Sequence, residues 1–305
     1  MNGNTYLYFC YGLTILSEIR CPELVEIEPG SEPDVRIRLG PVPESLGEPK
    51  YSGYKCEAND SEFLIVTDRI VKLLISGGNQ IFVEEREGAH DYEIRTLLLG
   101  WGLGTLLHQR GVFPLHASAV AGSQGCLSFC ASSGAGKSTL AYAFLKRGYR
   151  LLDDNIAALK PDSGVPMVFP GYPEIKLWGS DLGDTTNGYT RLRPVIRETG
   201  KFALNARDHF ERNPQPLKRI YTISRGCSPA PRIERLKGRA AFLALSENTF
   251  CARFLRGMGQ PAKHFDMLIR LANQIPVFDL RFPADSFPPD ELARIIEDDL
   301  KTDFS

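Results

Sequence analysis

Ala131-Ser132-Ser133-Gly134-Ala135-Gly136-Lys137-Ser138 is the stretch from which the rest of the chain is read. Every side chain before its lysine is small. The apolar run Cys126 to Cys130 ahead of it reads as a strand. Behind it, Leu140, Phe144 and Leu145 fall on one side of a helix expected over Ser138 to Arg147, and Gly148 supplies the stop. Strand, small-residue loop and helix in that order let backbone N–H groups turn toward an anion at the positive end of the helix dipole. The spacing is that of the Walker pattern G-x-x-x-x-G-K-[ST], with Ala131 in place of the first glycine. The mechanics of that pattern take Lys137 to the β- and γ-phosphates of a nucleoside triphosphate such as ATP, and the Ser138 hydroxyl to Mg²⁺. Ser132, Ser133, Gly134, Ala135, Gly136, Lys137, Ser138 and Thr139 are therefore the expected nucleotide contacts. Alanine at 131 would be strained if that position required a positive φ.

Just downstream, Tyr149 to Leu152 reads as the next strand and ends on Asp153 and Asp154. If this strand runs parallel to the one feeding the loop, both acids arrive at the phosphate end of the sheet. One carboxylate could then help hold Mg²⁺ and the other accept a proton from an attacking hydroxyl. Paired carboxylates also raise one another's pKa, which suits a base. A solvated Asp-Asp-Asn turn is the plain alternative. Upstream, His116-Ala117-Ser118-Ala119-Val120 reads as a strand joined to Cys126–Cys130 through the turn Gly122-Ser123-Gln124-Gly125. That hairpin brings the His116 end toward the loop, so His116 is either a site residue or an ordinary core or edge histidine.

The chain divides by pattern. Residues 1–90 look β-rich: Asp34 to Leu39 alternates, Glu62 to Val66 and Gln80 to Val83 are short apolar runs, and Gly77-Gly78-Asn79 is a turn signal. Tyr6 to Leu16 reads as strand material, and Gly40 to Pro49 as a surface loop. Over 91–111 the period becomes helical, with Ile94, Leu97, Leu98, Trp101, Leu106 and Leu107 in phase, although Gly100, Gly102 and Gly104 weaken the helix. Residues 112–305 form the nucleotide-binding part, with further strands at Arg219 to Ile223 and Pro276 to Leu280, and helices at Ala262 to Gln274 and Pro288 to Lys301. The expected class is mixed α/β.

Composition excludes several functions. With 305 residues, 43% hydrophobic and 24% charged side chains and a net charge of −1, nothing recruits nucleic acid or membrane by bulk charge. Arg191, Arg193 and Arg197 read as a solvated cluster. There is no apolar run of the ~18 residues a membrane span needs. Met1-Asn2-Gly3-Asn4 lacks the basic start of a secretory signal. Seven scattered cysteines without a C-x-x-C pair read as buried reduced thiols, which fits a cytoplasmic location. The five histidines show no zinc-site spacing.

Three ordered stretches resemble the HPr serine kinase family and its shorter relatives: Leu115-His116-Ala117-Ser118-Ala119-Val120, Ser133-Gly134-Ala135-Gly136-Lys137-Ser138, and Lys146-Arg147-Gly148-Tyr149-Arg150-Leu151 running into Asp153-Asp154. The resemblance covers roughly residues 114–160 and, loosely, the rest of the C-terminal half. It implies a nucleotide core of the HPr kinase and phosphoenolpyruvate carboxykinase type behind a smaller β-rich N-terminal part. It also implies phosphate binding by Lys137, metal assistance by Ser138, metal and base functions for Asp153 and Asp154, and His116 beside them. Glu174-Ile175-Lys176 sits where HPr kinases carry a Glu-x-Arg stretch, which makes Glu174 a further metal candidate. The sequence departs from that stretch at Leu177-Trp178-Gly179. Tyr11-Gly12-Leu13-Thr14-Ile15 and Cys21-Pro22-Glu23-Leu24 resemble the start of HPr-kinase-like proteins that tailor ribosomally made peptides. Lasso-peptide kinases, which phosphorylate the C-terminal serine of a precursor, are among these.

The expectation is an ATP- and Mg²⁺-dependent serine kinase acting on a peptide or small protein. A small-metabolite kinase and a nucleotide-dependent binding or regulatory module remain open, as does homo-oligomerisation. Binding alone needs no base, so the Asp153-Asp154 pair speaks against the module. The chain has no Leu-Ser-Gly-Gly-Gln stretch of an ABC-type ATPase and no G-x-G-x-x-G of a dinucleotide oxidoreductase.

Overall fold

A computed structural model of the chain describes residues 4–28, 30, 32–132, 134–160, 164–179, 191–197, 199–259, 261–283 and 288–302. The architecture is mixed α/β, with two nine-stranded sheets and a three-stranded one among the described residues. Strands from Tyr6–Cys10 to Gln80–Glu85 form the first sheet. Tyr6 to Leu16 is a hairpin in that sheet: Tyr6–Cys10 pairs antiparallel with Leu13–Ser17 through a turn at Tyr11 and Gly12. Glycine meets the positive φ of +76° at Gly12 without cost, whereas Tyr11 holds +55° against its own Cβ. The sheet's core is Ile15, Ile37, Phe63, Leu73 and Val83, closed by Leu98, Leu103 and Leu106. Those leucines lie on a helical stretch that runs α (Asp91–Leu97), π (Leu98–Gly102), α (Leu103–Gln109). The weak helix formers Gly100 and Gly102 fall in the π turn, and Gly104 leaves room for the Phe250 ring, where a Cβ would come within 2.4 Å.

In the central sheet the loop-feeding strand, Gly125–Cys130, lies between Ala117–Gly122 (antiparallel) and Gln215–Arg225 (parallel). Arg150–Asp153 pairs antiparallel with the far side of Ala117–Gly122, and Val277–Phe282 runs parallel to Gln215–Arg225. Arg150–Asp153 therefore points the same way as the loop-feeding strand, with one antiparallel strand between them. Its acids reach the loop end of the sheet. The helix Lys137–Lys146 covers one face with Leu140, Phe144 and Leu145, packed on Phe129 and Leu127 and flanked by Leu292 and Ile296 of the helix Pro289–Thr302. Leu245, Leu268 and Leu271, from the helices Arg239–Glu247 and Pro261–Gln274, cover the other face. Each such side chain taken from water contributes ~1.5–3 kcal/mol before entropy is charged against it. The strand expected over His116–Val120 begins at Ala117, and His116 is a bend after a separate strand, Phe113–Leu115. Among the described residues no helix is long and apolar enough to cross a membrane.

Candidate active site

The loop after Cys130 turns through Gly134 (φ +83°) and Gly136 (φ +104°), and Gly136 is the N-cap of the Lys137–Lys146 helix. Glycine is the residue that adopts such a φ freely, which explains both positions. Ala131 is unstrained. Among the described residues, the non-glycine positions with positive φ are Tyr11, Lys55 and Cys251. Ser133 lies outside the described residues. Ser132, Gly134, Gly136, Lys137, Ser138 and Thr139 line one pocket, and Ala135, a bend between the glycines, is not in its lining. His116, Asp154 and Asn155 close its second side, and Lys176, Leu177, Trp178 and Lys201 its third.

Lys137 is 8% exposed, and its Nζ donates to the Ala131 carbonyl at 2.6 Å. Burial pulls its pKa down, and Asp154 pulls the other way. Asp154 Oδ1 accepts from Ser118 Oγ (2.6 Å), and Oδ2 from the backbone N–H of Lys176 (2.7 Å). Ser118 comes from the antiparallel strand beside Arg150–Asp153, so sheet pairing aims the carboxylate. The His116 N–H donates to the Asn248 carbonyl at 2.7 Å, and its ring meets Phe250 edge-on, 5.7 Å between centroids. Burial, then Lys137 and Lys201, push the imidazole pKa down to about 4, so it is neutral at pH 7.

The two adjacent acids separate. Asp153 is 1% exposed and is not part of the pocket lining. Its Oδ1 accepts from the N–H groups of Asn155 (2.6 Å) and Ile156 (2.7 Å), and its Oδ2 from Tyr11 Oη (3.0 Å) and the Tyr172 N–H (3.4 Å). Burial raises its pKa to about 6 against those hydrogen bonds. The strand ends at Asp153 and the chain bends at Asp154, so the two neighbouring carboxylates leave the backbone into different surroundings and only Asp154 lines the pocket. Gly171 packs so tightly here that a Cβ would stand 1.9 Å from Asp153 Oδ2.

Glu174 does not join Ser138 and Asp154. Its carboxylate, 3% exposed, faces Arg193 at 3.1 Å, and Arg193 also meets Glu23 at 2.8 Å. Glu23 in turn pairs with Arg95 at 2.9 Å. These residues line a separate charged cleft with Arg207. Arg193 is thus no solvated side chain, and Arg197 pairs with the buried Glu93. The side chain of Arg191 lies outside the described residues. No group of three or more His, Cys, Asp or Glu that could hold a metal occurs among the described residues. Five of the seven cysteines are buried and all seven are free.

Lys201 escaped the sequence reading altogether, and Lys176 entered it only as part of a motif comparison. Lys201 reaches the pocket because Lys201–Asn205 pairs antiparallel with Glu174–Trp178, Trp178 opposite Lys201. No spacing in the sequence announces that register. The alternation of Lys176 and Trp178 on one strand face was the available signal.

No protein-family model matches the chain, and no curated protein matches it. Among solved structures it is similar to an HPr(Ser) kinase/phosphatase from Coxiella burnetii, with 15% identity over 62% of this chain and 94% of that one and a TM-score of 0.30. The similarity is weak and marks a distant relation at most.

Proposed function

We propose that this chain is an ATP-dependent phosphotransferase that moves the γ-phosphoryl group to a serine hydroxyl of a peptide or small protein. The observation that carries the reading is one pocket holding Lys137, the N-terminus of its helix, Asp154 and His116, with Lys176 and Lys201 opposite. Three lysines and one carboxylate line it, a balance that suits a triphosphate. Phosphoryl transfer asks the protein mainly for positioning and charge neutralisation. The acceptor oxygen forms the new bond to the γ-phosphorus as the bond from that phosphorus to the β–γ bridging oxygen breaks. ADP leaves, and the acceptor's proton passes to Asp154. Asp153 holds the chain that carries Asp154, and His116 offers a neutral nitrogen beside it.

The residues also fit Mg²⁺, which is typically bound by one or two carboxylates plus substrate phosphates. Ser138 and Asp154 would hold it, since each Asp154 oxygen accepts one described hydrogen bond and keeps a further lone pair. Bound there, Mg²⁺ would neutralise charge on the β- and γ-oxygens.

The serine acceptor, and with it the C-terminal serine of a lasso precursor, rests on the sequence resemblance. The N-terminal sheet ends in the strands Val25–Glu26 and Tyr51–Gly53, so a peptide added at either edge would gain few backbone hydrogen bonds. The test offers ATP, Mg²⁺ and three acceptors: a serine-ended peptide, the same peptide ended in alanine, and free serine. Labelling of the first alone is expected. Equal labelling of free serine moves the assignment to a metabolite kinase, and ATP binding without any transfer moves it to a binding module.

A further inference from the structure

The strand Glu174–Trp178 buries Ile175 and Leu177 in the core on one face. Lys176 and Trp178, two residues apart, share the other face. Trp178 is 39% exposed and lines the same pocket as Gly134 and Lys137. Opposite it on the paired strand stands Lys201, its Nζ 5.9 Å from the indole centroid. Lys201 is also near enough to Lys137 and His116 to depress the pKa of both. The pocket thus runs from a flat aromatic face, past one ammonium group, to the ammonium group at the helix N-terminus.

A phosphate or triphosphate ion alone has no use for the aromatic end. A nucleoside triphosphate has a π-faced base at one end and its charge at the other, in the same order as the pocket. We infer that Trp178 is the platform on which the base of the nucleotide stacks, with Lys201 meeting the phosphate nearer the base. The inference rests on the nucleotide reading above and adds the element that tells a nucleotide from a bare polyphosphate.

The chain has two tryptophans, and Trp101 lies in the π turn of the helical stretch. In a Trp101→Phe protein, Trp178 is the one indole fluorophore. Its emission is expected to be quenched by a non-hydrolysable ATP analogue with Mg²⁺ and unchanged by inorganic triphosphate. In the otherwise natural chain, Trp178→Ala is expected to weaken the analogue by ~10-fold or more, as loss of one base–aromatic stack does, and to leave triphosphate affinity within ~2-fold. Trp178→Phe restores most of the loss. Unchanged triphosphate affinity also shows that the loop remains folded in the variant. Equal weakening of both ligands, or of neither, overturns the platform and leaves the phosphate site standing. If the natural chain binds neither ligand, the nucleotide reading falls and the platform with it.

Discussion

Two clusters of charge adjoin along the strand Glu174–Trp178, and they are built on opposite plans. Around Glu174, acids and bases are matched. Glu23 and Glu174 are nearly inaccessible, and Arg95 and Arg193 answer them at 2.8–3.1 Å. In the pocket lining they are not matched, although Glu174, Asp153 and Asp154 all act on Lys176 from around it. Lys137, Lys176 and Lys201 make no salt bridge among the described residues, and Asp154 is the one carboxylate in the pocket lining. Lys137 rests on a carbonyl and Lys176 Nζ on the Tyr172 hydroxyl, 2.8 Å away. Burial lowers the pKa of both lysines. A matched cluster is complete and joins parts of the chain far apart in sequence. An unmatched one holds free energy that an anion can release.

The sharpest way to break the contrast is Lys137→Ala. Phosphoryl transfer is expected to fall by ~10³-fold or more while the melting temperature stays close to that of the natural chain, because a positioning and charge role is lost without a cavity in the core. Transfer from radiolabelled ATP beside a thermal melt measures both. Natural turnover in this variant would overturn the proposed phosphate site.

Next in size is the difference between the neighbouring acids. Asp154→Asn is expected to lose transfer by ~10²-fold or more, the usual scale of a lost acid–base group, and to keep the binding of ATP measured without Mg²⁺. Asp153→Asn is expected to act on stability, by ~1–3 kcal/mol, because an amide is a poor partner for the donors around Oδ2. Denaturant midpoints and single-turnover rates separate the two outcomes. Equal rates for both variants would show that burial does not divide their roles.

Glu174→Ala tests the other cluster. Leaving Arg193 short of a buried partner is expected to cost about 3 kcal/mol of stability with triphosphate affinity within ~2-fold. A loss of ATP affinity as large as that from Lys137→Ala would return Glu174 to the proposed nucleotide site.

The last comparison concerns pH. His116 is held near pKa 4 in the folded chain against about 6.5 unfolded. The unfolded chain therefore binds the proton first. The stability this histidine contributes is complete above pH 6.5 and is lost as pH falls toward 4. Stability measured across that window is expected to fall less steeply in His116→Gln, and part of the slope remains because burial also lowers His108 and His264. An unchanged slope would show that His116 titrates normally.

Much of this is legible in the sequence. Loop, helix and the strand ending on two acids follow from local rules: small residues where backbone must turn, an apolar period of 3.6, and a stop at glycine. The His116 strand was misjudged by one residue. Apolar neighbours on both sides masked a bend whose backbone N–H is satisfied by Asn248, 132 residues away in a part of the chain no local window sees. Arg193 was misjudged for a similar reason. A cluster of arginines reads as surface until its acids arrive from positions 23 and 174.

What the sequence by itself determined is therefore local: where the chain turns, which residues crowd the turn, and that two carboxylates follow it closely. Only the tertiary structure decided which carboxylate enters the pocket, because the answer depends on what packs around the end of Arg150–Asp153: Tyr11 and Tyr172 close over Asp153, and Ser118 holds Asp154 in the bend that follows. It also decided that Lys201 and Trp178 stand across from Lys137 while Glu174 turns to Arg193. Those placements depend on strand register and on partners far apart in the chain. Register is set by which faces can be buried together, a property of the assembled sheet and not of any short stretch of residues.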